Sequence, residues 1–458
     1  MIRIPGYERK RIAVMGLGVA GFPTVRALMA SGARVMAWDD SVESRNKAAA
    51  EGVPIVDLLS TDWSGVDTLV LSPGIPHTFP EPHPIAERAR KADAAIVCDI
   101  DLLGRARPDA IYVGITGTNG KSTTTALIAH ILTSAGRKLE VGGNLGPPVL
   151  NFAPLGKDGI YVLEMSSYQL ERTFSIAFDV AVLLNVSPNH IDRHGDLAGY
   201  VAAKSRIFAG NRKRQTAIIG VDDDECRRIA DQFAGRMRVI RVTREAPEPG
   251  MVGADGTKLV DRSERAARVV LDLKDAQDLP GRHNAQNAAA AYAATRALGV
   301  APNAIAAAMK SYRSLPHRLE RVATIDGVTY INDSKATSPE ATVWALTSYP
   351  RVIWIAGGLS KDVGYDALIP HLPRIAHAFL IGKAANEIAE LLGRHKVPHT
   401  ISETMDRAVT AAHLKAKTET STRIVLLSPA CASFDQYRSF EVRGNDFRAQ
   451  VKKIGGQA

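Results

Sequence analysis

The sequence predicts an α/β protein of three consecutive domains, covering residues 1–100, 101–312 and 313–458. Three observations carry this reading. Glycine-rich turns separate strand-like from helix-like runs, once near the start and again at 114–120. Short apolar runs of strand length alternate with helix-length segments along the whole chain. And 458 residues exceed what one hydrophobic core organises, so about two to three domains are expected.

The first domain opens with a strand at 11–15, then Gly16-Leu17-Gly18-Val19-Ala20-Gly21 and a helical stretch to Ser31. Glycines at this spacing permit a tight turn and let a diphosphate approach a helix N-terminus. A second strand, 33–38, ends in Asp39-Asp40, about 20 residues on, where a ribose-binding acid would stand. NAD, another nucleoside diphosphate and a turn without ligand all remain open. A third strand, 68–71, closes in Ser72-Pro73-Gly74-Ile75-Pro76 and completes a small doubly wound unit.

The second domain begins with the most informative stretch of the chain. A strand at 110–113 leads into Gly114-Ile115-Thr116-Gly117-Thr118-Asn119-Gly120-Lys121-Ser122-Thr123, and a helix follows over 122–135. Loop amides at a helix N-terminus cradle phosphates, Lys121 reaches the outer ones, and the Ser122 hydroxyl suits Mg2+. The general pattern wants glycine where Ile115 stands; the alternative is a glycine-rich turn capping a helix. Further strands are expected at 160–163, 180–185 and 217–220, and an alanine-rich helix at 287–298. Glu164, at a strand end beside the loop, is placed for Mg2+ or is simply an exposed strand-end carboxylate. His190 reads on its own as a hydrogen-bonded loop histidine, since imidazole is a poor Mg2+ ligand. Asn284 and Asn287 share a helical face and read a purine edge, or Asn284 caps the helix.

Residues 313–318, with Pro316, read as a linker to the third domain, whose strands are expected at 328–332, 352–356, 378–381 and 424–427. Two of these strands end in polar clusters, Asn332-Asp333-Ser334-Lys335-Ala336-Thr337 and Ser428-Pro429-Ala430-Cys431-Ala432-Ser433-Phe434-Asp435. Strand C-termini are where open α/β sheets bind ligands.

Composition narrows the function classes. The net charge of +9 comes from scattered basic residues without an interleaved aromatic stripe, which disfavours a nucleic-acid groove and fits polyanionic small substrates. No apolar run reaches the ~18 residues of a membrane-spanning helix, and no signal-like core opens the chain. Cys98, Cys226 and Cys431 lack metal-type spacing, consistent with a cytoplasmic protein.

The segment 115–123 resembles the phosphate loop of the Mur ligase family, which tolerates the missing glycine. Glu164-Met165-Ser166-Ser167-Tyr168-Gln169-Leu170-Glu171, Leu427 to Tyr437, Ser72-Pro73-Gly74-Ile75 and Asn332 to Thr337 are similar to the members that add D-glutamate. The likeness runs in order through nearly the whole chain. It implies Rossmann-like N- and C-terminal domains around a central P-loop ATPase-type mononucleotide-binding domain. It also implies a ligase of peptidoglycan precursor synthesis. ATP would phosphorylate the L-alanine carboxylate of UDP-MurNAc-L-Ala, and the amine of D-glutamate would attack the acyl phosphate.

Site residues follow from the same resemblance. Lys121, Asn144, His190 and Lys204 match catalytic positions. Two Mg2+ ions are implied, with Ser122, Glu164, His190 and a carbamylated Lys204 as ligands; from sequence alone Lys204 is a lysine on a solvated face. ATP would meet Gly117, Thr118, Asn119, Gly120, Lys121, Ser122, Thr123, Thr124, Asn284, Asn287, Arg318 and Asp333. The UDP substrate would meet Gly16, Gly18, Val19, Ala20, Gly21, Asp40, Ser72, Pro73, Gly74, Asn144 and Gln169. D-glutamate would meet Thr337, Lys361, Ser433 and Phe440. A cytoplasmic monomer with small-molecule partners is expected, with neither nucleic acid nor membrane. The chain departs from the family pattern at Asp39-Asp40-Ser41 and in the loop Gly357-Gly358-Leu359-Ser360-Lys361. The competing readings are another amino-acid ligase of the superfamily, including the folate-type enzymes, an NAD-dependent dehydrogenase using the Gly16 turn, and a non-catalytic nucleotide switch.

Overall fold

A computed structural model describes residues 1–456 except 211–214, 265 and 361–363. Lys361, one of the expected D-glutamate residues, therefore lies outside the described residues. The architecture is α/β, built on three sheets.

The first sheet has four strands, β1 (Arg11–Met15), β2 (Arg34–Trp38), β3 (Val66–Leu71) and β4 (Ala95–Val97), in the order β2-β1-β3-β4. All pairs are parallel. Its central strands β1 and β3 are buried on both faces, as a parallel sheet covered by helices requires, while the edge strands β2 and β4 are partly exposed. The helix Gly21–Ala30 packs Val25, Ala27 and Leu28 inward.

The second sheet has nine strands: β5 (Ile111–Thr116), β6 (Leu139–Gly143), β7 (Ile160–Glu164), β8 (Val180–Leu183), β9 (Thr216–Gly220), β10 (Arg238–Val242), β11 (Met251–Asp255), β12 (Lys258–Asp261) and β13 (Arg268–Asp272). Their order is β13-β12-β11-β10-β9-β8-β5-β7-β6. The chain leaves β5 to one side, through β6 and β7, and then crosses to β8 on the other. β5 is thus the point where connections reverse, the usual ligand crevice of a doubly wound sheet. Ile115 pairs with Glu164 on one side and Val182 on the other, and is fully buried. This explains the missing glycine: position 115 belongs to the sheet, and the turn itself runs only from Gly117 to Gly120.

The third sheet has six strands: β14 (Glu320–Ile325), β15 (Val328–Asn332), β16 (Val352–Gly357), β17 (Ile375–Ile381), β18 (His399–Glu403) and β19 (Ile424–Leu427), in the order β14-β15-β19-β16-β17-β18. β14 is antiparallel to β15 and the remaining pairs are parallel. β14 escapes sequence reading because it is an edge strand without a fully buried residue. The expected linker at 313–318 is irregular, with His317 at φ 63° and Leu319, just after it, at 45°.

Packing groups the chain into two compact units. One comprises Met1–Leu271 with Gln286–Met309 and holds the first sheet and nearly all of the second; the other comprises Asp272–Ala285 with Lys310–Ala458 and holds the third. Among the described residues no helix is long and apolar enough to cross a membrane.

Candidate active site

The phosphate loop is braced from outside. Asn185, just past β8, accepts the Asn119 N–H at 2.8 Å through Oδ1 and donates through Nδ2 to Asn119 O at 3.2 Å. Its own carbonyl accepts the Thr118 N–H. The Thr118 hydroxyl meets Ser187 and Tyr200. Gly120 precedes the helix Lys121–Ser134 at φ 82°, and a Cβ there would lie 2.3 Å from Asn287 Oδ1. Glycine is required at that position on both counts. Asn287 in turn accepts the Thr124 hydroxyl at 3.2 Å, so it supports the start of the phosphate-loop helix. Asn284, on the same helix Arg282–Ala297, donates to Pro280 O at 2.7 Å.

Two lysines converge on one carbonyl. Lys121 Nζ donates to Gly117 O and Thr118 O, both at 2.9 Å, and Lys204 Nζ also donates to Gly117 O at 2.9 Å. Lys204 is not on a solvated face: it is 1% exposed, its amine lying over the Tyr200 ring. Burial, then the nearby Lys121, hold its amine well below the usual lysine range. His190 begins a short helix at φ 53°, a sparsely populated conformation for a residue with a side chain. Burial holds its imidazole below the ordinary value; Lys121 and Lys204 add to this against the opposing Asp192.

Glu164 ends β7 and is 2% exposed, so it is not the open strand-end carboxylate that sequence alone allows. One carboxylate oxygen accepts Asn144 Nδ2; the other, Oε2, is buried without a hydrogen-bond partner. A buried carboxylate oxygen left without a donor fits a cation ligand. Among the described residues no group of three or more His, Cys, Asp or Glu forms a metal cluster. A hydroxyl and one carboxylate, completed by nucleotide phosphates, is nevertheless the donor set Mg2+ ordinarily takes from proteins. Gln169 closes a capping box with Ser166 at the helix Ser167–Leu170, which follows directly on Glu164.

At the first sheet, a cleft of about 420 Å³ is lined by Gly16, Gly18, Val19, Ala20, Asp40, Ser72 and Pro73, with Met15, Asp39 and Ile75. Seven expected residues meet there; Gly21 and Gly74 are not among its walls. Gly21 serves packing instead, since a Cβ would fall 1.7 Å from Gly16 O. Asp39 is occupied, Oδ2 by the Leu17 N–H at 2.6 Å and Oδ1 by the Ser41 N–H at 2.8 Å. Asp40 contacts His83 at 3.1 Å. Arg45 donates to the carbonyls of Asp39 and Asp40 and lies over the Trp38 ring, offsetting the two acids.

In the second unit, the ends of β15, β16 and β19 are drawn together by Arg443. This arginine, 1% exposed, donates to Ser334, to Gly357 O at the end of β16, and to Cys431 and Ala432. Ser433 is buried, and the Phe440 ring carries the Lys335 amine 3.9 Å from its centre. Thr337 follows on the same loop, its N–H donating to Lys335 O. Asp333 accepts Ser428 Oγ at 2.9 Å and the Leu319 N–H at 3.2 Å, joining β19 to the turn that carries Arg318. Burial raises its carboxyl to about 7.

Sequence reasoning assigned no role to Asn185, Arg45 or Arg443. Asn185 stands in a stretch that drew attention for His190; Arg443 carries no sequence signal at all.

The description "Mur ligase middle domain" matches residues 115–295, and "Mur ligase, glutamate ligase domain" matches 317–431. The UDP-N-acetylmuramoylalanine–D-glutamate ligase of Paramagnetospirillum magneticum is 48% identical, covering 100% of both chains. The chain belongs to the UDP-N-acetylmuramoylalanine–D-glutamate ligase family. The Rhodospirillum rubrum member is 49% identical over 99% of this chain and 97% of its own. Among solved structures, UDP-N-acetylmuramate–alanine ligase MurC of Thermotoga maritima aligns with a TM-score of 0.58 over 97% of this chain and 99% of that one, at 17% identity. The MurF ligase of Thermotoga maritima in complex with ADP aligns at 0.58 over 100% and 98%, at 16% identity. These distant likenesses establish the Mur ligase fold.

Proposed function

We propose that the chain is the ATP-dependent ligase that joins D-glutamate to the L-alanine carboxylate of UDP-N-acetylmuramoyl-L-alanine, releasing ADP and phosphate, in peptidoglycan precursor synthesis. The observation that carries this is full-length identity of 48% to a ligase of that name, on a chain with a braced phosphate loop beside a buried carboxylate.

The chemistry follows from the residues. A carboxylate oxygen of the substrate takes the γ-phosphoryl group as its bond to ADP breaks. Lys121 and the amides of 117–124 stabilise the charge that spreads over that group. The neutral amine of D-glutamate then attacks the acyl carbon; phosphate leaves and the nitrogen loses a proton, giving the amide. Mg2+, two ions in this reading, would be held by Ser122, Glu164, His190 and Lys204 as its carbamate, and would offset charge between the phosphate and carboxylate oxygens. A depressed Lys204 suits carbamylation, because only the neutral amine adds CO2 and it releases a proton on doing so. Asn144 orients Glu164.

The remaining assignments belong to the same reading. Residues 1–100 bind the UDP moiety through the Gly16 cleft, 101–312 bind ATP, and 313–458 bind D-glutamate through Thr337, Lys361, Ser433 and Phe440. Asn284, Asn287, Arg318 and Asp333 serve ATP, and Gln169 with Asn144 serves the muramoyl group. The protein works as a cytoplasmic monomer. Asp39, with both oxygens on backbone amides, is a poor ribose acid, which counts against a dehydrogenase.

Incubation with UDP-MurNAc-L-Ala, D-glutamate, ATP and Mg2+ tests the reading by phosphate release and product mass. ADP formation dependent on both acceptors is expected. Absence of ADP, or equal turnover with L-glutamate, overturns it.

A further inference from the structure

The loop after β3 is held in an unusual way. Arg172, fully buried, donates through NH1 to Leu71 O at 3.2 Å, Ser72 O at 3.1 Å and Ile75 O at 3.4 Å, and through NH2 to Pro73 O at 2.8 Å. Arg193 donates through NH1 to the one carbonyl left, Gly74 O, at 2.8 Å. Two guanidinium groups thus take every backbone oxygen from Leu71 to Ile75. Both then meet Tyr168: Arg172 Nε donates to its carbonyl at 3.3 Å, and the Arg193 guanidinium lies 4.6 Å from its ring centre.

The origin of the two side chains matters. Arg172 stands eight residues after Glu164, just beyond the capped helix that carries Gln169, and Arg193 three residues after His190. Ser72, Pro73 and Ile75 line the cleft of the first sheet. The two segments that leave the ends of β7 and β8 therefore each send one arginine to the same loop. The guanidinium fork suits this task, because its donors diverge in a fixed plane and reach several carbonyls at once. Both cations spend these bonds on carbonyls, so they also place positive potential behind a loop that faces the cleft.

We infer that Arg172 and Arg193 are positioning residues that set the uridine-diphosphate loop in register with the phosphoryl-transfer centre. This rests on the functional reading above. Neither touches the reacting atoms. Each fixes where the UDP end of the substrate is held relative to Glu164 and His190, and so where its carboxylate is presented.

The test uses the full-length enzyme with Arg172→Met, Arg193→Met and Arg193→Lys. Losing a charge-assisted hydrogen bond predicts a rise of about tenfold or more in KM for UDP-MurNAc-L-Ala and in Kd for UDP alone in each Met variant. The KM for ATP should stay within about twofold. Arg193→Lys keeps one donor for Gly74 O and should recover most of the loss. Equal effects on both substrates, or no effect on UDP binding in a folded variant, overturn the inference. Should Arg172→Met fail to fold, the Arg193 pair decides alone, because that side chain is only partly buried on a short helix. Wild-type turnover of UDP-MurNAc-L-Ala is measured first, so that failure of the functional reading is seen separately.

Discussion

Asn144 holds Glu164 twice, its N–H donating to the Glu164 carbonyl at 2.8 Å and its Nδ2 to Oε1 at 2.7 Å. The second bond fixes the carboxylate rotamer and leaves Oε2 directed elsewhere. Asn144→Ala should remove a hydrogen bond to a charged group, about 1.5–3 kcal/mol, and leave a buried carboxylate oxygen undersatisfied. Turnover should fall at least tenfold and require more Mg2+ for half-maximal rate. Asn144→Asp should be worse, since it sets two carboxylates together. An unchanged Mg2+ dependence in a folded Asn144→Ala protein would remove Asn144 from this role.

The glycines of the first turn divide between packing and binding. A Cβ on Gly21 meets Gly16 O at 1.7 Å, whereas one on Gly18 meets nothing within 4 Å. Gly21→Ala should lower the melting temperature and weaken UDP binding together. Gly18→Ala should melt like wild type yet bind UDP more weakly, because its new methyl group enters the cleft. Parallel thermal melts and UDP titrations separate the two; equal behaviour contradicts the division.

Asp333 links activity to pH-dependent stability. Burial raises its carboxyl to about 7 from the ordinary value of 3.8. Between those values the folded state binds more protons than the unfolded, so this contribution is complete below about 4 and is lost as pH rises through about 7. Asp333→Asn removes the ionisation. Relative to wild type it should gain stability from pH 5 to pH 8 in denaturant melts, while ATP-dependent turnover falls. A stability difference that is flat over that range is the contrary result.

Lys204→Ala should abolish most turnover and regain part of it on addition of short carboxylic acids, which would stand in for the carbamate. Loss without rescue would leave the lysine a structural role on Gly117 O. Full activity without any addition would remove the carbamate altogether.

The sequence showed most where local chemistry repeats a pattern. The loop before Lys121, the strand-end position of Glu164 and the Gly16 turn are all local, and the structure places them on a braced loop, a buried strand end and a cleft. Ile115 looked irregular only because a linear pattern cannot say where the sheet ends. Residues that act across the fold were less legible. Asn185 reaches the phosphate loop from another strand, 66 positions away. Arg172 reaches back about a hundred residues, and no spacing rule connects them. The strands β4, β6, β10 to β14 and β18 were missed because runs this short, broken by charged, polar or small residues, carry too little periodicity to mark a strand.

Arg443 has a consequence for how the second unit opens. Its guanidinium can leave water only when carbonyls from the segments after β15 and β19 are already assembled around it. Neither segment can detach alone without stranding a buried cation. The amides of 334–337 and 430–433 should therefore exchange with solvent as one cooperative block, with a shared opening free energy. Arg443→Met should split that block into independently fraying pieces.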